Sequence, residues 1–171
     1  TPALIDATWR GQPRTLLVQV NRNGFMYVLD RTNGTFLFGT QYVKNVTWAR
    51  EIGADGRPVL NADQEPTASG TTVCPSVDGA SNWFSTAFSP ATGLYYVQTL
   101  EKCSVYVLRP GRWIAGESYY GGSTRNPPGE PGQKVLRAID IQTGTIAWEL
   151  PQTGTGGSWG GALATAGGLV F

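Results

Sequence analysis

Apolar and polar residues alternate in short bursts along this chain. From Thr15 it reads Thr-Leu-Leu-Val-Gln-Val, then Asn21-Arg22-Asn23-Gly24, then Phe-Met-Tyr-Val-Leu, then Asp30-Arg-Thr-Asn33-Gly34, then Thr-Phe-Leu-Phe. Three apolar runs separated by two Asn-Gly turns predict an antiparallel meander, because Asn-Gly supplies the positive φ angles of a tight hairpin. Similar runs recur at residues 93–99, 104–108, 135–141, 145–150 and 163–171, with Gly- and Pro-rich loops such as 121–132 between them. No amphipathic helical period lasts three turns, so the expected fold class is all-β.

One submotif repeats. Ala138-Ile-Asp140-Ile-Gln-Thr143-Gly144-Thr-Ile-Ala-Trp148 places an aspartate and a Thr-Gly turn between two strands, with a tryptophan four residues after the glycine. The same frame fits Val28-Leu-Asp30-Arg-Thr-Asn33-Gly34-Thr-Phe-Leu-Phe38, and more loosely Ala87-Phe-Ser89-Pro-Ala-Thr92-Gly93-Leu-Tyr-Tyr-Val97; Asp55-Gly56 marks a degenerate further copy. The copies fall about 50 to 60 residues apart, near the size of a four-stranded propeller blade with its loops. The aspartate caps the turn and the aromatic wedges between blades. A generic hairpin signal in a β-sandwich is the competing reading.

Composition narrows the chemistry. The 171 residues are 40% hydrophobic, enough for one sizeable core. The formal charge of +1 and 15% charged residues, without a basic run, argue against nucleic acid or an anionic membrane as partner. No apolar stretch approaches a membrane span. The chain holds no histidine, which removes imidazole-dependent nucleophilic triads and most zinc sites. Cys74 and Cys103 are too far apart for a CxxC redox pair and read best as a structural disulfide, with two buried free thiols as the alternative. The glycines of 154–161 do not form a dinucleotide loop, because Trp159 breaks the spacing and a strand follows. Thr1 in place of an initiator methionine and the end at Phe171, in the middle of an expected strand, read as cuts.

The Ala138–Trp148 frame is similar to the tryptophan docking motif of the eight-bladed quinoprotein alcohol dehydrogenases. Four further stretches resemble that family in the same order: Asn21-Arg22-Asn23-Gly24 with Tyr27-Val-Leu-Asp30, Val73-Cys74-Pro75-Ser76, Ser81-Asn82-Trp83, and the Gly160-Gly161 segment running to Phe171. The resemblance implies a partial β-propeller of several antiparallel four-stranded blades, with residues 1–171 forming part of one propeller domain truncated at both ends. It implies pyrroloquinoline quinone (PQQ) as cofactor, with Arg22 at the quinone's ortho-carbonyl region, Asn82 at the cofactor edge and Trp159 meeting it from the propeller axis. A guanidinium suits that role, since it stays charged and donates in a fixed fork. Cys74 and Cys103 match a disulfide pair of the family.

Departures matter equally. The family's catalytic aspartate, the glutamate and asparagine that bind calcium or a lanthanide with it, the stacking tryptophan and the adjacent-cysteine disulfide all lie upstream of the Asn-Arg-Asn-Gly turn. They have no counterpart here, so no catalytic or metal-ligating residue is nominated; Asp6 and Asp78 do not sit in the family's motif. For the whole protein the resemblance implies periplasmic oxidation of a primary alcohol, with electrons leaving to a cytochrome c. Two other classes compete: a non-catalytic envelope propeller presenting loops to partners, and a carbohydrate-binding β-sandwich in which Asn33-Gly-Thr35 and Asn45-Val-Thr47 are glycosylation sites.

Overall fold

The computed structural model describes residues 1–157 and 160–171. Among them there is no helix, and so none long and apolar enough to cross a membrane. Strands β1 (Ala3–Trp9), β2 (Gln12–Val20), β3 (Phe25–Asp30) and β4 (Phe36–Gln41) form an antiparallel meander in sequence order. A second four-stranded antiparallel sheet contains β8 (Ala87–Ser89), β9 (Leu94–Glu101), β12 (Gln133–Asp140) and β13 (Ile146–Pro151). Between the two lie the hairpin β5 (Ala49–Ile52)–β6 (Pro58–Leu60) and a small sheet in which β10 (Ser104–Leu108) is flanked by β7 (Thr71–Val73) and β11 (Gly122–Arg125). The loop expected over 121–132 thus contains a strand. Gly122–Arg125 is polar and carries no apolar pattern; it is extended because β10 pairs with it.

The 163–171 run is a small hairpin and not one strand. Leu163 and Phe171 exchange both backbone hydrogen bonds at 2.9 Å, and Ala164 bridges Val170. The Asn-Gly turns also differ from the tight form. The first connection runs over 21–24 and the second over 31–35, and in both only the glycines, Gly24 (φ 94°) and Gly34 (φ 76°), take positive φ. The asparagines instead accept from the amide two residues on, Asn23 Oδ1 from Phe25 N at 3.0 Å and Asn33 Oδ1 from Thr35 N at 2.9 Å, the Asx geometry that makes asparagine a turn former.

Two copies of the repeated frame are identical in structure. The amide of Gly34 donates to Asp30 O and that of Gly144 to Asp140 O, both at 2.8 Å, while Asp30 N and Asp140 N donate to Thr35 O and Thr145 O at 2.9 Å. Each copy has a bulge one residue before its aromatic, so Val28 opposes Phe38 as Ala138 opposes Trp148. Both span the last hairpin of their sheet. The looser Ala87–Val97 copy keeps the Gly93-to-Ser89 hydrogen bond but has no bulge, and it spans the first hairpin of the second sheet. It is therefore a different hairpin and not a further sheet.

The sheets pack face to face. Leu16, Val18, Val20, Met26 and Val28 of the first meet Tyr95, Val97, Ile139 and Ile141 of the second in one buried core, with Tyr42 and Ala80 from the connecting loops. Each fully buried aliphatic side chain there contributes ~1.5–3 kcal/mol. The β12–β13 turn is gripped by the first sheet: Trp9 Nε1 donates to Ile141 O at 3.0 Å, Gln142 Nε2 to Thr8 O at 2.7 Å, and Arg10 N to Gln142 Oε1 at 2.6 Å. A Cβ on Gly144 would overlap Thr40 Cγ2 and come 2.7 Å from Phe38 Cε1. Phe38, the aromatic of the first copy, is thus seated on the glycine of the second.

A buried cation ties the second sheet to the loop after β4. Arg137, wholly inaccessible, pairs with Glu101 (2.5 Å) and Glu149 (3.0 Å) and donates to Tyr42 O at 3.0 Å, while Lys44 pairs with Glu149 at 3.0 Å. A buried guanidinium requires such partners, because an isolated charge in the interior is strongly disfavoured. The Cys74–Cys103 disulfide is formed, with sulfurs 1.96 Å apart, and it extends the β7–β10 ladder by one step beyond the Val73–Ser104 pair.

Two expectations follow. Gly144→Ala should destabilise the protein by about 2–4 kcal/mol, from its left-handed φ of 74° and the collision with Phe38. Gly34→Ala, at φ 76° in open space, should cost only about 1 kcal/mol; denaturant midpoints compare the two. Acid stability is the second. Glu149 is held below the usual carboxylate range chiefly by Lys44 and then Arg137, and Asp30 chiefly by its hydrogen bonds from Thr32. A depressed folded-state value stabilises fully above the unfolded value and is lost as pH falls through it. Stability should therefore decline below the ordinary glutamate value of 4.5, and Glu149→Gln should make that acid branch shallower when midpoints are measured from pH 6 downward.

Candidate functional site

Arg22 stands at the tip of the β2–β3 turn, where four backbone positions leave the strands and face the loop that follows β7. That loop is drawn onto the turn by hydrogen bonds: Ala80 N donates to Arg22 O at 2.9 Å, and the Arg22 Nη2 group donates to Val77 O. Glycine at 79 makes the approach possible, since at φ +83° a Cβ there would lie 2.7 Å from Arg22 Cβ and 2.8 Å from Ser81 O. Gly24 does the same on the other flank, where a Cβ would lie 2.6 Å from Val46 Cγ2 and 3.2 Å from Pro75 Cγ. The Cys74–Pro75 peptide is cis.

The turn is braced from behind. Tyr42 Oη donates to Asn21 O at 2.7 Å, and Trp48 Nε1 to Asn23 O at 2.9 Å. Trp48 also meets Phe25 edge-on, with ring centres 6.0 Å apart. Burial drives the Tyr42 hydroxyl well above its ordinary ionisation range, so it remains a neutral donor. In front of the turn lies a cavity of about 310 Å³ lined by Arg22, Asn23, Trp48, Pro75, Val77 and Tyr106, among others. Arg22 Nη1 and Nε have no hydrogen-bond partner among the described residues, which leaves donors available to an electron-rich ligand.

Asn82 closes the far end of the same loop. Its Nδ2 donates to Asp78 O at 2.9 Å, and its Oδ1 accepts from Trp83 N at 2.9 Å. The structure thus brings Arg22 and Asn82 to one loop cluster, but the cavity that Arg22 lines does not include Asn82. Trp159 lies outside the described residues. The segment after it reaches the same neighbourhood: Ala162 N donates to Ser85 O at 2.9 Å, and a Cβ on Gly161 would lie 2.9 Å from Ser85 N.

The carboxylates left aside at the sequence level serve ion pairs. Asp78 pairs with Lys102 at 2.9 Å, and Asp6 with Arg31 at 2.7 Å. Among the described residues no group of three His, Cys, Asp or Glu side chains is placed to hold a metal ion. Trp48, Val77, Gly79 and Tyr106 were missed by sequence reasoning. Only Gly79, inside the Ser76–Asn82 loop, carried a signal, as a glycine in a polar turn; the others reach the cavity through tertiary packing.

Comparison with known proteins gives a consistent picture. The chain matches no protein-family model. It is 39% identical over 160 residues to the quinoprotein alcohol dehydrogenase PedH of Pseudomonas putida, covering 88% of this chain and 26% of that protein. It is 34% identical over 182 aligned positions to the lanthanide-dependent methanol dehydrogenase of Methylorubrum extorquens, covering 98% of this chain and 30% of the relative. Among solved structures, it resembles a europium-containing methanol dehydrogenase with a TM-score of 0.87 at 32% identity, over 100% of this chain and 30% of the other. A quinohemoprotein alcohol dehydrogenase from Comamonas testosteroni gives a TM-score of 0.86 at 28% identity, over 99% and 27%. The chain therefore spans between a quarter and a third of the length of these relatives.

The Arg22–Gly79 contact yields a direct expectation. Gly79→Ala should force the loop away from the turn and destabilise the protein by about 2–3 kcal/mol, read as a shift in the denaturant midpoint. A stability equal to that of the native sequence would show that the two segments do not hold this spacing.

Proposed function

This chain belongs with the quinoprotein alcohol dehydrogenases, as a segment of their propeller, and on that premise we propose that it serves a periplasmic, PQQ-dependent oxidation of primary alcohols to aldehydes, with cytochrome c as electron acceptor. The observation that carries the reading is Arg22: a guanidinium fixed at a turn tip, facing a cavity, with donors still available, in a chain that matches quinoprotein dehydrogenases along nearly all its length.

The residues present fit such a cofactor. PQQ is planar and rich in carbonyl and carboxylate oxygens, and the turn offers a guanidinium with unused N–H groups; the Asn82 amide belongs to the same loop cluster but lies outside the cavity that Arg22 lines. When bound, the quinone supplies the two-electron acceptor chemistry, beside calcium or a lanthanide whose ligands lie outside this chain.

The chain's own contribution is orientation and charge. Arg22 would hold the acceptor oxygens and stabilise the negative charge that develops on them; a fixed donor is most effective where water is excluded. Its position is not left to the side chain alone, because Val77 O fixes Nη2 and Gly79 fixes the depth of the loop. Asn82 would present its second N–H to the cofactor edge, its first being held by Asp78 O. Trp159 would close the chamber from the axis. The proton acceptor for the alcohol is an aspartate outside this chain.

In the full-length protein, Arg22→Ala should lower kcat by about 10²- to 10³-fold while keeping the native circular dichroism spectrum, with stability reduced only by about the 1 kcal/mol of the lost hydrogen bond to Val77 O. Arg22→Lys, which keeps the charge and loses the fork, should recover part of that loss. Alcohol oxidation by Arg22→Ala at the rate of the native protein would exclude the role given to Arg22.

A further inference from the structure

Tyr106 stands between two cavities. One is the cavity of about 310 Å³ in front of Arg22. The other, about 620 Å³, is a mainly apolar groove walled by Pro66, Leu108, Tyr120 and the β11 residues Ser123 and Thr124. Val77 and Tyr106 line both. Tyr106 lies in the middle of β10, opposite Thr71 of β7 on one side and Thr124 of β11 on the other, so its ring is carried by a strand paired along both edges. Gly122 lets the start of β11 lie close against β10, since a Cβ there would come 2.5 Å from Val107 O.

The two compartments differ in chemistry. The Arg22 side offers a cation and backbone polar groups, whereas the far side offers aliphatic and aromatic walls. Burial pushes the Tyr106 hydroxyl upward, with Arg22 acting against it and Asp78 with it, and the lining of the two cavities places the residue between the charged side and the apolar surface. Ligand sites of this kind combine a few polar anchors with an apolar enclosure.

We infer that Tyr106 is a specificity-determining residue: the shared wall that directs the hydroxyl end of an alcohol toward Arg22 and its hydrocarbon tail into the groove walled by Leu108, Tyr120 and Ser123. The inference rests on the alcohol-oxidising reading above and extends it to the size and polarity of the substrate.

The test uses the full-length, cofactor-loaded protein and the ratio of kcat/KM for 1-hexanol to that for ethanol. Ser123→Trp, a substitution at an exposed position, fills the groove and should lower the ratio about tenfold, mainly through a higher KM for hexanol, since hydrophobic pockets discriminate by roughly 10- to 200-fold per methylene-sized change. Tyr106→Ala should raise the relative efficiency for bulky alcohols such as cyclohexylmethanol about fivefold, and Tyr106→Phe should keep the native ratio because the ring forms the wall. The circular dichroism spectrum and thermal midpoint of each variant report that it has folded. An unchanged ratio in Ser123→Trp, with Arg22→Ala still inactive, would overturn the inference and leave the alcohol-oxidising reading standing. Failure of the native protein to oxidise either alcohol would overturn both.

Discussion

Gly144 lies so near Phe38 and Thr40 of the first sheet that no side chain fits between them, and this approach sets how closely the two sheets can stack. Everything else at the seam depends on that spacing. The aliphatic residues of β2 and β3 reach Ile139 and Ile141 only because the sheets are in direct contact, and Trp9 and Gln142 find their backbone partners at the same separation. The interaction joins equivalent elements: the aromatic of one frame rests on the turn glycine of the next. Trp148 is the equivalent aromatic of the second frame; it packs on Tyr96 with ring centres 5.8 Å apart and stays partly exposed on the outer face.

The seam is not purely apolar. Arg137 is sunk at its edge with two carboxylates and the Tyr42 carbonyl, and Tyr42 in turn donates to the turn that carries Arg22. A charge held this way contributes little net stability against a well-packed apolar substitute, but it tolerates only one arrangement of its partners. It therefore acts on where the loop after β4 sits, and through Tyr42 on where the Asn21–Gly24 turn sits. The route from inter-sheet packing to the candidate site runs through these two side chains.

Much of this was legible in the sequence, and the failures have physical causes. The β2–β3–β4 meander was plain because alternation and turn residues agree over its whole length. The disulfide was legible because the chain has only two cysteines, and the frame at Asp30 and Asp140 because its capping chemistry is local. Strand β1 was missed: Leu4 points to solvent while Ile5 and Trp9 are buried, so apolar residues on both faces blur the alternation. Strands β7 and β11 were missed because each is short and polar and is extended only by its pairing with β10. The loose copy at Ser89 misled for the opposite reason, since a Ser-Pro-Ala-Thr-Gly turn looks the same from within whichever hairpin of a sheet it closes. At the site, Arg22 and Asn82 were nominated through the family resemblance of their motifs, and the structure brings both to one loop cluster, whereas Trp48 and Tyr106 reach the cavity from separate strands and loops that only tertiary structure brings together.

The disulfide has a consequence for how such a protein can vary. Cys74 and Cys103 close a covalent ring that contains the loop over Arg22 and the whole of β8 and β9. The exposed connection between β10 and β11, with Trp113, Ile114 and Tyr120, lies outside that ring. Insertions, deletions and exchanges there leave the ring's length and closure untouched, so the segment that walls the apolar groove is free to diverge while the segment that positions Arg22 is not. The architecture divides the chain into a covalently closed anchor and an open rim, and length changes in the rim leave the anchor's closure intact.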